Sequence, residues 1–372
     1  MTFSIFYIGI FQMSKITHVN AWNGWDPLKQ VVLGNIYKPD FFDAVKDSKT
    51  RDMLQTLLYE THEDLANFKR QMEMAGVDVI QFDPNLTVDG EIVTSIEEFP
   101  DIQDRFGTKS GLVKPYLSPR DDFITLGNRV LFCGDSLTRS SRIKSYFENP
   151  ERDFHTPFMD NNLKIEVAAP NITRLGKRLI IDTKDHPAEH FDILLKEYDM
   201  FEQVTHTVGG HNDGVFCPIK PGYIIATEYK NRFEHTIPDW EVYTAGPSLS
   251  VLEDSRRLGK FNKLIKQKNT IDKTWWHPMA KDNHEFNAYV DEYLHEWVGW
   301  AAESIFIVNM LVISPELVFC PSYDKKAFDY IKSIGMEPVL VPFRHRHFWD
   351  AGLHCLTVDI VRDGTQQDYW KF

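Results

Sequence analysis

The chain has 372 residues, enough to bury a large core without disulfides or a structural metal. Hydrophobic residues at 42% and charged residues at 26% are globular values that exclude a disordered chain. With 41 basic against 54 acidic residues the formal net charge is −13, which disfavours nucleic-acid and membrane partners and draws in a small cation.

Residues 1–12 are apolar but short, with no basic flank or small-residue cleavage site. They make a poor signal peptide and are too short to span a bilayer. Residues 1–19 are expected to form a flexible extension, and residues 20–372 a single domain. Leu28-Lys29-Gln30-Val31-Val32-Leu33-Gly34 reads as a strand closed by glycine. Over residues 50–75, Leu54, Leu57, Leu58, Leu65, Phe68 and Met72 recur at helical spacing and Gly76 stops the helix. A strand follows over 77–82, then an acidic, Pro- and Gly-punctuated loop over 84–112.

From Phe123 a new form begins: two short strands around Gly127-Asn128. It recurs around Gly176-Lys177, Pro221-Gly222 and Pro315-Glu316, and helix-then-strand patterns follow at 191–208 and 327–342. The unit is strand, turn, strand, helix, strand, about five times with the long first helix included. No unit can bury its own faces, so the units are expected to form a ring with polar strand ends at a common centre. Residues 250–300, with Phe286, Tyr289, Tyr293, Trp297 and Trp300, read as an insertion whose aromatic stripe is core rather than a stacking platform.

Four cysteines, Cys133, Cys217, Cys320 and Cys355, stand far apart without a C-x-x-C pair, a reduced, cytoplasmic pattern. Leu356, Val358 and Ile360 alternate with Cys355, Thr357 and Asp359, which predicts a half-buried strand with Cys355 at its mouth. Gly352 allows a close approach there. Cys355 is a candidate nucleophile, against the alternative of a core thiol. His211 and Asp213 share a strand phase and could do acid–base work, or be a turn histidine capped by its own aspartate. Asp121 and Asp122 open the Gly127 hairpin, as a cation site or only a turn. Glu166, on an otherwise apolar approach, needs a partner. His345, His347, His354 and Cys355 lack zinc-site spacing. No G-x-G-x-x-G, Walker loop, H-E-x-x-H or G-x-S-x-G is present.

In order along the chain, Trp25-Asp26-Pro27-Leu28, Pro119-Arg120-Asp121, Arg174-Leu175-Gly176, His211-Asn212-Asp213 and Leu353-His354-Cys355-Leu356-Thr357-Val358-Asp359 resemble the amidinotransferases, the family of arginine:glycine amidinotransferase. The resemblance spans about residues 20–370 and implies a five-bladed pseudo-symmetric α/β propeller of ββαβ units. It further implies that Cys355 attacks the guanidinium carbon of L-arginine, that Asp121 and Asp213 clamp the guanidinium, and that His211 shuttles the proton. No metal or organic cofactor is called for. The partners are L-arginine and a primary amine, and a homodimer is left open.

The chain departs from that family at its Asp-Ala-Ala-Asp motif, reading Glu166-Val167-Ala168-Ala169-Pro170-Asn171. Glu166 is the candidate to orient His211, with Asn171 in the second place; a gap-free alignment puts Ala168 there instead. Val208-Gly209-Gly210 is smaller than in glycine-specific members, so Gly210 leaves room for a larger acceptor. Lys230 stands where the family has a carboxylate-gripping arginine, with Arg232 two residues on. These changes favour a specialised acceptor over glycine, and the resemblance to the toxin-pathway members of the family implies one such as the arginine-derived amino ketone of saxitoxin-type pathways. The alternatives are arginine:glycine transfer, an arginine deiminase-type hydrolase and a guanidine-binding scaffold without catalysis.

Overall fold

The computed structural model describes residues 15–87, 112–134, 136–155, 167–183, 187–196, 198–205, 211–227, 230–245, 283–294, 297–298 and 303–370. Fifteen strands lie among them: β1 Leu28–Leu33, β2 Asp78–Gln81, β3 Phe123–Leu126, β4 Arg129–Phe132, β5 Phe154–His155, β6 Ile172–Leu175, β7 Arg178–Ile181, β8 Glu202–Thr205, β9 Phe216–Lys220, β10 Tyr223–Ala226, β11 Glu241–Thr244, β12 Leu311–Ser314, β13 Leu317–Cys320, β14 Glu337–Leu340 and β15 Thr357–Arg362. They form five three-stranded mixed sheets, the five blades expected from the repeats. Four blades run in chain order, β3-β4-β5, β6-β7-β8, β9-β10-β11 and β12-β13-β14. Each pairs its first two strands antiparallel and its last two parallel. The remaining blade is closed by the end of the chain, because β15 pairs antiparallel with β1 and β1 parallel with β2.

A hairpin joins an antiparallel pair, whereas a parallel pair needs a crossover. The crossovers are helices at Ser48–Met74, Leu137–Lys144, Ala188–Leu195 and Lys325–Ser333; between β10 and β11 the 3-10 turn Lys230–Arg232 stands in their place. Gly127 and Gly176 take φ of +60° and +66° at the first central position of their hairpins, the left-handed geometry a II′ turn demands.

Four apolar clusters seal the ring. One joins the β1 and β3 blades, another the β3 and β6 blades, and a third spans those of β6, β9 and β12. The fourth packs the β12 blade back against β1. It also takes in Phe286, Val290, Leu294 and Trp297, with Tyr289 packed against it; Tyr293 is exposed and Trp300 lies outside the described residues, so the stripe expected as core is core only in part. Trp297 stacks on Trp349 with ring centroids 5.4 Å apart.

The alternation from Leu356 misjudged one strand. β15 is buried on both faces: Val358 and Ile360 meet apolar neighbours, Asp359 faces buried arginines at the centre, and the Thr357 hydroxyl donates back to Leu353 O. Of the extension expected over 1–19, residues 1–14 lie outside the described residues. Ile16 and Val19 are buried, and Ile16 bridges Phe147, so the packed chain reaches back at least to Ile16. Residues 20–23 then cross three blades, with Asn20 bridging Val361, Ala21 bridging Gly127 and Asn23 bridging Leu175. Among the described residues no helix is long and apolar enough to cross a membrane.

Candidate active site

Each blade delivers its innermost strand through a short lead-in at the same end of the ring. These are the 3-10 turns Pro119–Asp121, Ala169–Asn171 and Asn212–Gly214, then Asn309 ahead of β12 and residues 353–356 ahead of β15. Neighbouring lead-ins pack on one another. Asp121, Asn171, Asp213, Asn309 and Cys355, dispersed over more than two hundred positions, are thereby equivalent members of one ring.

Cys355 lies in the turn before β15, 8% exposed. Its Sγ is 3.4 Å from Asp213 Oδ2 and 2.9 Å from Asn309 Nδ2. Asp213 Oδ2 also accepts from His354 Nδ1 at 2.8 Å. A carboxylate only accepts, so the His354 proton sits on Nδ1. Burial and Arg120 hold His354 below its ordinary range, which makes it a neutral imidazole at pH 7. Burial alone would raise the Asp213 carboxyl, but the hydrogen bond from His354, with His211 and Arg120 nearby, outweighs it and brings it to about 2. Asp213 is therefore an anion at any working pH, yet its Oδ1 is buried without a partner among the described residues. Burial, then Asp213 and Asp121, push the Cys355 thiol well up, so the unliganded site holds a thiol.

Asp121 stands opposite, with about half its side chain open (50%), and its Oδ1 is 3.8 Å from His211 Nδ1. Its carboxyl is raised to about 6, chiefly by partial loss of water, with Asp213 and Asp122 adding to the rise and His211 and Lys114 opposing it.

Beneath these groups lies a buried charge hub. Asp359 receives Arg120 Nη2 at 2.9 Å, Arg362 Nε at 2.6 Å, and Arg174 Nη2. The guanidiniums also donate to carbonyls: Arg120 to Thr357, Arg174 to Thr125, and Arg362 to Asp26 and Val312. The hub pins β15 to the blades around it. A cavity of about 50 Å³ beside it is lined by the three arginines, Asp213, His354 and Cys217.

Of the residues singled out from sequence, the structure brings Cys355, Asp213, Asp121 and His211 to one end of the ring. His211 and Asp213 do not share a strand phase. His211 caps the N-terminus of the 3-10 turn Asn212–Gly214 and Asp213 lies within it, while Asn212 points inward to Asn171 O, Thr173 Oγ1 and Ile180 O. Asn171 is buried and donates to Asp182 O. Glu166 and Gly210 lie outside the described residues. Lys230 and Arg232 sit exposed in their turn; Lys230 lines a different cavity, about 220 Å³, with Phe233, Ile237 and Trp240. His345 bonds Glu60 at 2.7 Å and His347 packs edge-on against Phe306, so neither joins His354. Among the described residues no group of three or more metal-ligating side chains converges. Sequence reasoning missed Asn309 altogether, and saw His354 only as one of three nearby histidines.

No family model matches the chain. It is 23% identical over 376 residues to mitochondrial glycine amidinotransferase of Danio rerio, covering 95% of this chain and 85% of that one. The Xenopus laevis protein of the same name is 22% identical over 402 residues, with the same coverage of 95% and 85%. Among solved structures it is similar to SxtG, an amidinotransferase from Microseira wollei in the saxitoxin biosynthetic pathway (TM-score 0.59, 17% identity, 94% of this chain and 99% of that chain). It is also similar to the inosamine-phosphate amidinotransferase StrB1 from Streptomyces griseus (TM-score 0.60, 16% identity, 95% and 99%). At such identities the two structures share the fold.

Proposed function

We propose, from the premise that this chain is a distant homologue of glycine amidinotransferase within the amidinotransferase family, that it moves the amidino group of L-arginine to a primary amine. The observation that carries the reading is Asp213. A permanent carboxylate whose Oδ2 lies 3.4 Å from a cysteine sulfur and whose buried Oδ1 has no partner among the described residues suits a planar cation with forked N–H donors. Asp121 supplies the second carboxylate.

Arginine's positive charge then offsets the two aspartates that hold the thiol protonated, and the thiol proton passes to His211. The thiolate attacks the guanidinium carbon. Protonated His211 returns its proton to the departing nitrogen, ornithine leaves, and an amidino group remains on sulfur. The amine attacks that carbon, His211 takes its proton, the thiolate leaves as the product is released, and His211 hands that proton back to the sulfur. Each half-reaction conserves protons, and the cysteine–histidine pair ends as it began. Glu166 is proposed to orient His211.

The acceptor is proposed to be larger than glycine, of the amino ketone type used in saxitoxin-like pathways. The small Val208-Gly209-Gly210 stretch supports that choice. The test is to incubate the protein with arginine and a panel of amines, glycine included. Ornithine formed only with an amine supports transfer, and citrulline from arginine alone indicates a hydrolase.

A further inference from the structure

We infer that Asn309 is a positioning residue that donates to the Cys355 sulfur and lowers the cost of its thiolate, a role that rests on Cys355 being the nucleophile. The orientation of its amide is dictated by its surroundings. One side-chain atom faces two consecutive backbone N–H groups, His354 N at 3.0 Å and Cys355 N at 3.1 Å. Only an oxygen can accept from both, so the other atom is the NH₂. That nitrogen lies 2.9 Å from Cys355 Sγ and 3.2 Å from the Asp213 carbonyl. Asn309 is 1% exposed, so water does not compete for these bonds. One amide thus ties the lead-in of β12 to those of β9 and β15.

The need for such a donor follows from what surrounds the sulfur. Burial and two carboxylates oppose its ionisation, while the Asn309 amide and a backbone hydrogen bond at Gly352 favour it. A neutral donor eases ionisation without competing with a guanidinium for Asp213. The packing leaves no freedom in this placement: a Cβ on Gly352 would lie 2.6 Å from both Asn309 Cβ and Oδ1.

The positional and electrostatic parts of the role separate in Asn309→Asp. The substitution keeps an oxygen for both backbone amides but replaces the donor with a second oxygen facing the sulfur. The experiment is the pH dependence of iodoacetamide alkylation at Cys355, read by peptide mass spectrometry without arginine, in wild type, Asn309→Asp and Asn309→Ala. The midpoint is expected to rise by about one pH unit or more in each folded variant, so alkylation below it slows roughly tenfold. A folded variant with the wild-type midpoint overturns the inference. Should neither variant fold, the wild-type protein decides: the Asn309 side-chain ¹⁵N signals must shift as the thiol titrates, and that shift must vanish in Cys355→Ser. Signals that stay fixed overturn it too. Because arginine is absent throughout, failure here leaves amidino transfer to be judged by its own products.

Discussion

His354 donates from Nδ1 over 2.8 Å to Asp213 Oδ2, the oxygen that also lies 3.4 Å from Cys355 Sγ, while the buried Oδ1 of the same carboxylate has no partner among the described residues. Asp213→Asn keeps an oxygen for His354 but removes the charge. Hydrogen bonds to charged groups contribute about 1.5–3 kcal/mol, so arginine affinity should fall about 10- to 100-fold. Calorimetric titration in a Cys355→Ser background measures binding without turnover. Equal affinity in both proteins would remove Asp213 from the clamp.

Asp121 sets a pH limit. A guanidinium is held by its carboxylate, and that carboxyl is raised to about 6, whereas Asp213 stays ionised down to about 2. As pH falls through about 6, Asp121 gains a proton and loses its attraction for the substrate. The pH profile of kcat/KM for arginine should therefore bend downward near 6, with roughly a tenfold loss per unit below it. Asp121→Asn should lower kcat/KM at neutral pH and flatten the bend. A bend retained in that variant assigns it elsewhere.

The hub under the site is structural, and its loss should be read in stability. Asp359 is the shared partner of three buried guanidiniums. Removing one member of a buried pair costs about 3–5 kcal/mol, because the remaining charge is left uncompensated. Asp359→Ala should lower the unfolding free energy by an amount in that range, read as a lower denaturant midpoint at unchanged slope. Asp329→Ala, which breaks the exposed pair with Lys325, should leave the midpoint where it was. Similar shifts for the two variants would mean the hub adds nothing.

Gly352→Ala tests how closely the lead-in of β15 is fitted. The added methyl meets the Asn309 side chain at 2.6 Å, displacing the amide that touches the sulfur. A fall in kcat of at least tenfold is expected, with circular dichroism unchanged. Full activity would show that the turn relaxes without consequence.

The blades were legible because hairpins with positive-φ glycines and apolar strands are local features, plain at Gly127 and Gly176. The pairing of β15 with β1 was not, since nothing local in either strand names a partner more than three hundred residues away. The alternation around Asp359 looked like a solvent face because a buried carboxylate and an exposed one read alike until its arginines are placed. Asn309 carries no mark in Val308-Asn309-Met310: its role depends on which turns the ring brings beside it. Cys355 and Asp213 were candidates from their local patterns and took their roles from a family resemblance, and only the structure revealed that His354 holds one oxygen of Asp213.

The most direct test of covalent transfer is mass spectrometry of the protein treated with arginine in the absence of any amine. The account predicts an amidino adduct on the peptide carrying Cys355, released ornithine in matching amount, and no adduct in Cys355→Ser. An unmodified Cys355 in protein that binds arginine, or ornithine released at the wild-type rate by Cys355→Ser, would contradict it.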